Sequence, residues 1–373
     1  MLTVKKIISY MEELAPPGYA LQGDPVGLQL GNPEAEINKI IISLDPDREA
    51  LKAAANYNAE MIITHHPLFF DKLSGVDESL PSGAMVAEAI RNRINIYSAH
   101  TNFDIVPGGV TYQLGKSLNL PVEKSSVIEI TGREKLLKLV VFVPAGHEDN
   151  ILEALSEAGA GQIGNYSHCS FQTPGTGTFM PGNDTKPFIG LSGRLERVKE
   201  IRLETILLFS DRTAVINALL DAHPYEEVAY DLYPLDLEGP EVGLGLLIEL
   251  NDPITLDELN KRCHDKLPYC IPRFKVFGKE VFNKVALCGG SGGSMIETAA
   301  RKGAEVFVSG DFKYHDLKHA EGLGLALIDA GHLSTEMPGV QFLDRYLQGR
   351  LKDDGFTAEV IVLSSRQAIW KII

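Results

Sequence analysis

Basic residues are in short supply: 35 lysines and arginines stand against 50 aspartates and glutamates, a formal charge of −15. That balance argues against a generic nucleic-acid binder and against a protein held to an anionic membrane surface, since both need a basic face. Cysteine is scarce too. Cys169, Cys263, Cys270 and Cys288 show no C-x-x-C spacing, so neither a disulfide framework nor a zinc ribbon is indicated, and a reducing cytoplasm is the expected compartment. No apolar run reaches the length of a membrane span, and Met1 to Met11 lacks the apolar stretch and cleavage site of a signal peptide. What is present in quantity is core: 44% of 373 residues are hydrophobic, which suits two or three domains.

Glu60 to Phe70 is the stretch that organises the chain. The apolar run Met61-Ile62-Ile63 ends in His65-His66, and Pro67 forbids continuing a strand's hydrogen-bond ladder. Both imidazoles are therefore expected at the C-terminal edge of a strand, where the chain breaks into a loop and the rings can turn toward one centre or two neighbouring ones. Metal ligation is one reading of such a pair; a loop or core role is the other.

An α/β rhythm surrounds this stretch. An amphipathic helix from Val4 to Leu14 stops at Pro16-Pro17, and the turn-dense Gly23 to Gly31 follows. Ile40 to Leu44 reads as a buried strand, Asp47 as the cap of a helix to about Asn58, and Ile94 to Ser98 as the strand that leads into His100. Crossover helices of this length imply parallel strands. Between about residues 127 and 234 the order becomes βαββαβ, so a ferredoxin-like domain is expected to interrupt a discontinuous core of residues 1–126 and 235–373.

The last third reads as a copy of the first. Ala59 to His66 aligns with Ala304 to Asp311, and His100 with Asp104 matches His332 with Glu336, each a histidine and a carboxylate four residues apart after a strand. The fold class expected is therefore α/β: a duplicated core with largely parallel sheets and one insert. In such sheets the loops leaving the strands' carboxyl ends meet at one crevice. His65, His66, His100, Asp104, His332 and Glu336 are all placed there. Three or four imidazoles and two carboxylates suit two divalent ions, an arrangement used for hydrolysis of phosphate esters, amides and ring C–N bonds.

Other candidates carry less. Gly289 to Gly293, between a strand and a helix, can be read as a phosphate cradle, but tight-turn glycines are favoured because no Lys-Ser/Thr follows. Asp311, Lys313, Tyr314, His315 and His319 could line the same crevice, although His315 and His319, a lone pair four apart on a helix without a third ligand, read as solvated. His168-Cys169 and His223-Pro224-Tyr225-Glu226-Glu227 in the insert are read as packing and turn elements ahead of ligand sites.

Thr64 to Phe69, Ser98 to Asp104, Ser309 to Asp316 and Asp329 to Glu336 together resemble the GTP cyclohydrolase I type 2 homologues, also called the NGG-interacting-factor-three-like family. The resemblance spans essentially the whole chain and is to the long bacterial form, whose insert is similar to PII signalling and CutA proteins. It implies a dinuclear metal site with His65, His66, Asp104, His332 and Glu336 as ligands and His100 beside them. It also implies a homohexamer, a trimer of dimers with the metal sites facing an internal cavity. Asp24 sits in a segment that departs from the family's usual start. The function expected is hydrolysis of a small nucleotide-like or heterocyclic substrate with His100 as proton shuttle. The alternative is a regulatory or metal-handling ring. Zinc, manganese, iron, cobalt and nickel all suit such a shell.

Overall fold

A computed structural model describes residues 1–70 and 75–363. They fall into two compact units, one made of Met1–Gly132 with the described residues from Val242 onward, the other of Arg133–Glu241.

The first unit holds two sheets built on one plan. In one, Lys39–Ser43, Met61–Thr64 and Asn95–Ser98 run parallel, with Ser43 opposite Thr64 and Thr64 opposite Ser98. In the other, Val281–Ser291, Val306–Gly310 and Ala326–Asp329 run parallel, with Ser309 opposite Asp329. These strands are covered on both faces, which is why their sequences are continuous apolar runs rather than alternating ones. Their aligned carboxyl ends release Asp45, His65-His66 and His100 from one sheet edge, and Asp311 and His332 from the other. An antiparallel strand is added beside the third strand of each set: Gly27–Leu30 on Asn95–Ser98, and Arg273–Lys275 on Ala326–Asp329. The first of these lies within the segment read from sequence as turns. An edge strand takes its hydrogen bonds from its neighbour, so its own glycines gave no strand pattern.

The helices tie the two halves together by exchange. Helix Val110–Ser117, from the first half, sends Leu114 and the following Leu118 into a core with Ile248, Leu287 and Val308 of the second. The 22-residue helix His332–Asp353, from the second half, buries Met337, Val340, Leu343 and Leu347 against Ile40, Ile42, Met61 and Tyr97 of the first. Each fully buried leucine contributes about 1.5–3 kcal/mol. The exchange sets the N-terminal end of the long helix, with His332 and Glu336, over the strand end that carries His65 and His66.

The second unit has the element order strand Leu136–Pro144, helix Glu148–Glu157, strands Ser170–Phe179 and Glu196–Leu208, helix Arg212–Ala222 and strand Tyr230–Pro234. All its strand pairs are antiparallel, and Leu136–Pro144 and Glu196–Leu208 are central. Ser170–Phe179 extends through Pro174, Gly175 and Gly177, which it tolerates as an edge strand. Among the described residues no helix is long and apolar enough to cross a membrane.

Candidate metal centre

His65 and His66 follow Met61–Thr64, and their rings stand 5.2 Å apart and tilted, so both face the crevice although they are adjacent in sequence. The His65 Nδ1–H donates to the carbonyl of Ala99 at 2.8 Å, which leaves Nε2 as a lone-pair donor. His66 Nδ1 donates to Asp45 Oδ1 at 2.7 Å, and His332 Nδ1 to Asp311 Oδ2 at 2.8 Å. An ionised carboxylate only accepts, so in the neutral form of both rings the proton sits on Nδ1 and Nε2 is bare. Yet these two Nε2 atoms face each other at 3.2 Å. Two lone pairs at that distance repel unless a proton or a cation lies between them.

Glu336 completes the arrangement. It stands four residues along the helix from His332, on the same face, and is 4% exposed. Its Oε2 lies 3.2 Å from His66 Nε2 and 3.1 Å from His332 Nε2, while Oε1 lies 3.7 Å from His65 Nε2. Asp104, in the short helix Thr101–Ile105, brings Oδ1 to 3.6 Å from the same His65 nitrogen. His65 Nε2, Asp104 Oδ1 and Glu336 Oε2 are buried and make no aligned hydrogen bond. Such orphaned atoms are costly unless something else satisfies them. Donors held about 2.1 Å from one tetrahedral ion stand about 3.4 Å apart, and the separations here, 3.1 to 3.7 Å, match that spacing. The donor set therefore fits divalent metal: His66, His332 and Glu336 lie close enough together to hold an ion, and His65, His66 and His100 form a second close group that shares His66 with it.

The charges respond as a cation site predicts. Burial opposes a charged His66 ring, but Asp45 and Glu336 outweigh it and push its pKa to about 10; His332 reaches about 9 against the same burial through Glu336 and Asp311. Burial raises the Asp104 carboxyl, with His65 opposing. Glu336 is driven well below the ordinary range despite burial, by the surrounding histidines. Both raised imidazoles bind protons in the metal-free fold that they do not bind when unfolded. That contribution is complete below about 6.5 and disappears as pH rises through about 9 to 10. An ion must displace those protons, so metal affinity should climb by about tenfold or more per pH unit between 6.5 and 9. Chelator competition at three pH values across this window checks the slope; a flat affinity contradicts it.

His100 lies beside the cluster, its ring 5.3 Å from His65 and 5.8 Å from His66. Its Nδ1 donates to Asp24 Oδ1 at 2.8 Å, and the other oxygen of Asp24 accepts the backbone N–H of Thr101 at 3.0 Å. The departure around Asp24 thus carries a defined contact. All six sequence-selected residues converge. Asp45 was missed: between a buried strand and the Asp47 helix cap, it looked like part of the turn. His315 and His319 do not join the clusters found among the described residues. In the second unit, His168 pairs with Glu153 at 3.4 Å, and His223 is buried with hydrogen bonds to Phe142 and Tyr225.

The model of the Duf34/NIF3 (NGG1p interacting factor 3) family matches residues 2–368. The chain belongs to this family. Among its relatives, a protein of Halalkalibacterium halodurans named GTP cyclohydrolase 1 type 2 homolog is 40% identical over 360 residues, 96% of this chain and 95% of that one. The Bacillus subtilis protein of the same name is 38% identical over 358 residues, again 96% and 95%. A solved structure, the Bacillus cereus protein related to NIF3, superposes with a TM-score of 0.75 at 37% identity, covering 100% of this chain and 99% of that one. The α/β fold of this chain is consistent with that of the DUF34/NIF3 family.

Proposed function

We propose that this chain is a dinuclear metal-dependent hydrolase of a small heterocyclic or nucleotide-like substrate. The observation that carries the proposal is the division of Glu336: one carboxylate oxygen addresses His65 and the other addresses His66 and His332. His65, Asp104 and Oε1 would hold one ion, and His66, His332 and Oε2 the other, with Glu336 between them. Two such ions supply Lewis acidity and activate water at neutral pH. Asp45, Asp311 and the Ala99 carbonyl fix the tautomer of each ligand ring.

His100 does the proton work. With Nδ1 committed to Asp24, its Nε2 is free to accept a proton and to return it to a leaving group, and the Asp24 charge stabilises the imidazolium in between. Phe70, 67% exposed and edge-on to the His100 ring at 6.0 Å, offers an aromatic face for a flat substrate. The relatives' shared name, GTP cyclohydrolase 1 type 2 homolog, agrees with a heterocyclic substrate.

The test is a hydrolysis screen of nucleotides, lactams and cyclic amidines on protein reconstituted in turn with zinc, manganese, iron, cobalt and nickel. Turnover should require metal, and His100→Gln should lower kcat by about 10²- to 10⁴-fold with metal content unchanged. Full metal occupancy without turnover of any substrate would sink the hydrolase reading and favour the metal-handling ring.

A further inference from the structure

The second unit contains a cavity of about 630 Å³ lined entirely by its own residues. That volume falls within the range of small-molecule sites. One wall is the edge strand Ser170–Phe179; the others come from the segment that follows it, from Glu200 and Arg202 on the neighbouring strand, and from Tyr225 to Glu227. Three rings converge there: Phe179 and Phe188 stand 6.0 and 6.2 Å from Tyr225, tilted by 58° and 52°. Phe188 is 52% exposed, so its ring is not committed to the core.

Glu200 is the most buried carboxylate of this cavity, 8% exposed. Tyr225 O–H donates to its Oε1 at 3.0 Å, while Oε2 has no hydrogen-bond or ion-pair partner among the described residues. A Cβ at Gly177 would lie 1.9 Å from that Oε2, so glycine is what admits the carboxylate there. Tyr225 is itself held: its N–H donates to His223 Nδ1 at 3.1 Å, and the His223 Nε2–H donates to the Phe142 carbonyl at 3.2 Å. The His-Pro-Tyr-Glu-Glu turn thus presents one ring and two further carboxylates to the cavity. Arg202, the one lysine or arginine among the described lining residues, gives its Nε–H to Glu204 at 2.7 Å and faces three lining carboxylates, Glu200, Glu226 and Glu227.

We propose that the second unit binds a flat heteroaromatic ligand that presents N–H donors to Glu200 and carries no phosphate. Aromatic walls select a planar ring. A nearly buried carboxylate with a free oxygen selects N–H donors, most strongly as a pair on one edge. A lining with three carboxylates against one arginine selects against polyanions. This site is independent of the metal centre.

Guanosine offers such an edge, with N1–H beside its 2-amino group. Isothermal titration of the full-length protein should show guanosine binding, with inosine, which lacks the 2-amino group, and guanosine monophosphate each weaker by about tenfold. Glu200→Gln should weaken guanosine by about tenfold or more, and Phe188→Ala, at an exposed ring that leaves the fold intact, by several-fold. Metal content should be unchanged in both variants. Three results would overturn the proposal: no guanosine binding at millimolar concentration, binding that survives both substitutions, or tighter binding of the monophosphate. If no probe binds and Phe188→Ala instead changes the assembly mass in sedimentation, another copy of the chain fills the cavity and the proposal falls.

Discussion

Glu336→Gln should remove most of the bound metal while leaving the fold in place. The amide keeps the shape of the carboxylate but not its charge, and Glu336 is the group whose two oxygens face His65 on one side and His66 with His332 on the other. Two divalent ions ringed by neutral imidazoles would retain Asp104 as their nearest compensating anion. Loss of a partner that merely orients a ligand costs about 10- to 100-fold in metal affinity, so loss of a charged ligand should cost at least about 100-fold. Elemental analysis after reconstitution should find close to two ions per chain in the native protein and one or fewer in the variant. The metal-free protein gives a second readout. Below pH 6.5 the protonated His66 and His332 rely on Glu336, so the variant should be less stable by roughly 3 kcal/mol there. That deficit should shrink as pH rises through about 9 to 10, where both rings have lost their protons. Equal metal content in the two proteins, or a stability difference that does not depend on pH, would contradict this assignment.

Gly290→Ala should damage the same carboxylate from behind. Gly290 has φ of +66°, a region that costs an L side chain about 1–2 kcal/mol. A Cβ there would also lie 2.3 Å from Glu336 Oε1 and 3.4 Å from His332 Cε1. The backbone is held in place on both sides: Gly290 N–H donates to Thr335 Oγ1 at 3.0 Å, and its carbonyl accepts from Ser309 Oγ at 3.0 Å. Glu336 must therefore give way. Because the crowded atom is Oε1, the ion beside His65 and Asp104 should be lost before the one beside His66 and His332. Urea unfolding should show a loss of about 2–3 kcal/mol, and metal content should fall toward one ion. Gly349→Ala is the control. It lies on the long helix with open space around its Cβ position, so it should leave metal content alone and stabilise by about 0.5–1 kcal/mol. If Gly290→Ala is as harmless as Gly349→Ala, the close approach is not what keeps residue 290 a glycine.

The role of Gly290 also shows what the sequence reveals and what it hides. Gly289 to Gly293 can be read from sequence as tight-turn glycines or as a phosphate cradle. The structure instead shows a strand end thinned so that a carboxylate from another helix can approach, and nothing local in the sequence records that neighbour. The clustered histidines and carboxylates were legible for a different reason. Parallel strands buried on both faces leave unbroken apolar runs, so Met61 to Thr64 and Ala326 to Asp329 point directly to the histidines that follow them. The paired His-x-x-x-carboxylate spacing then pointed to Asp104 and Glu336. Asp24, Asp45 and Asp311 were harder to assign, because an aspartate beside proline or before a helix has the same appearance whether it caps, turns or holds a ring. The exchange of Val110–Ser117 and His332–Asp353 onto opposite sheets was not legible at all, since an apolar helix face shows that it will be covered without showing by what.

The central claim is that the two halves of the chain share one two-metal centre. Anomalous diffraction from crystals of zinc- or manganese-loaded protein tests it most directly. The expected result is two peaks about 3.5–4 Å apart, one beside His65 and Asp104 and the other beside His66 and His332, with Glu336 reaching both. A single peak, no peak, or two ions neither of which touches Glu336 would contradict it.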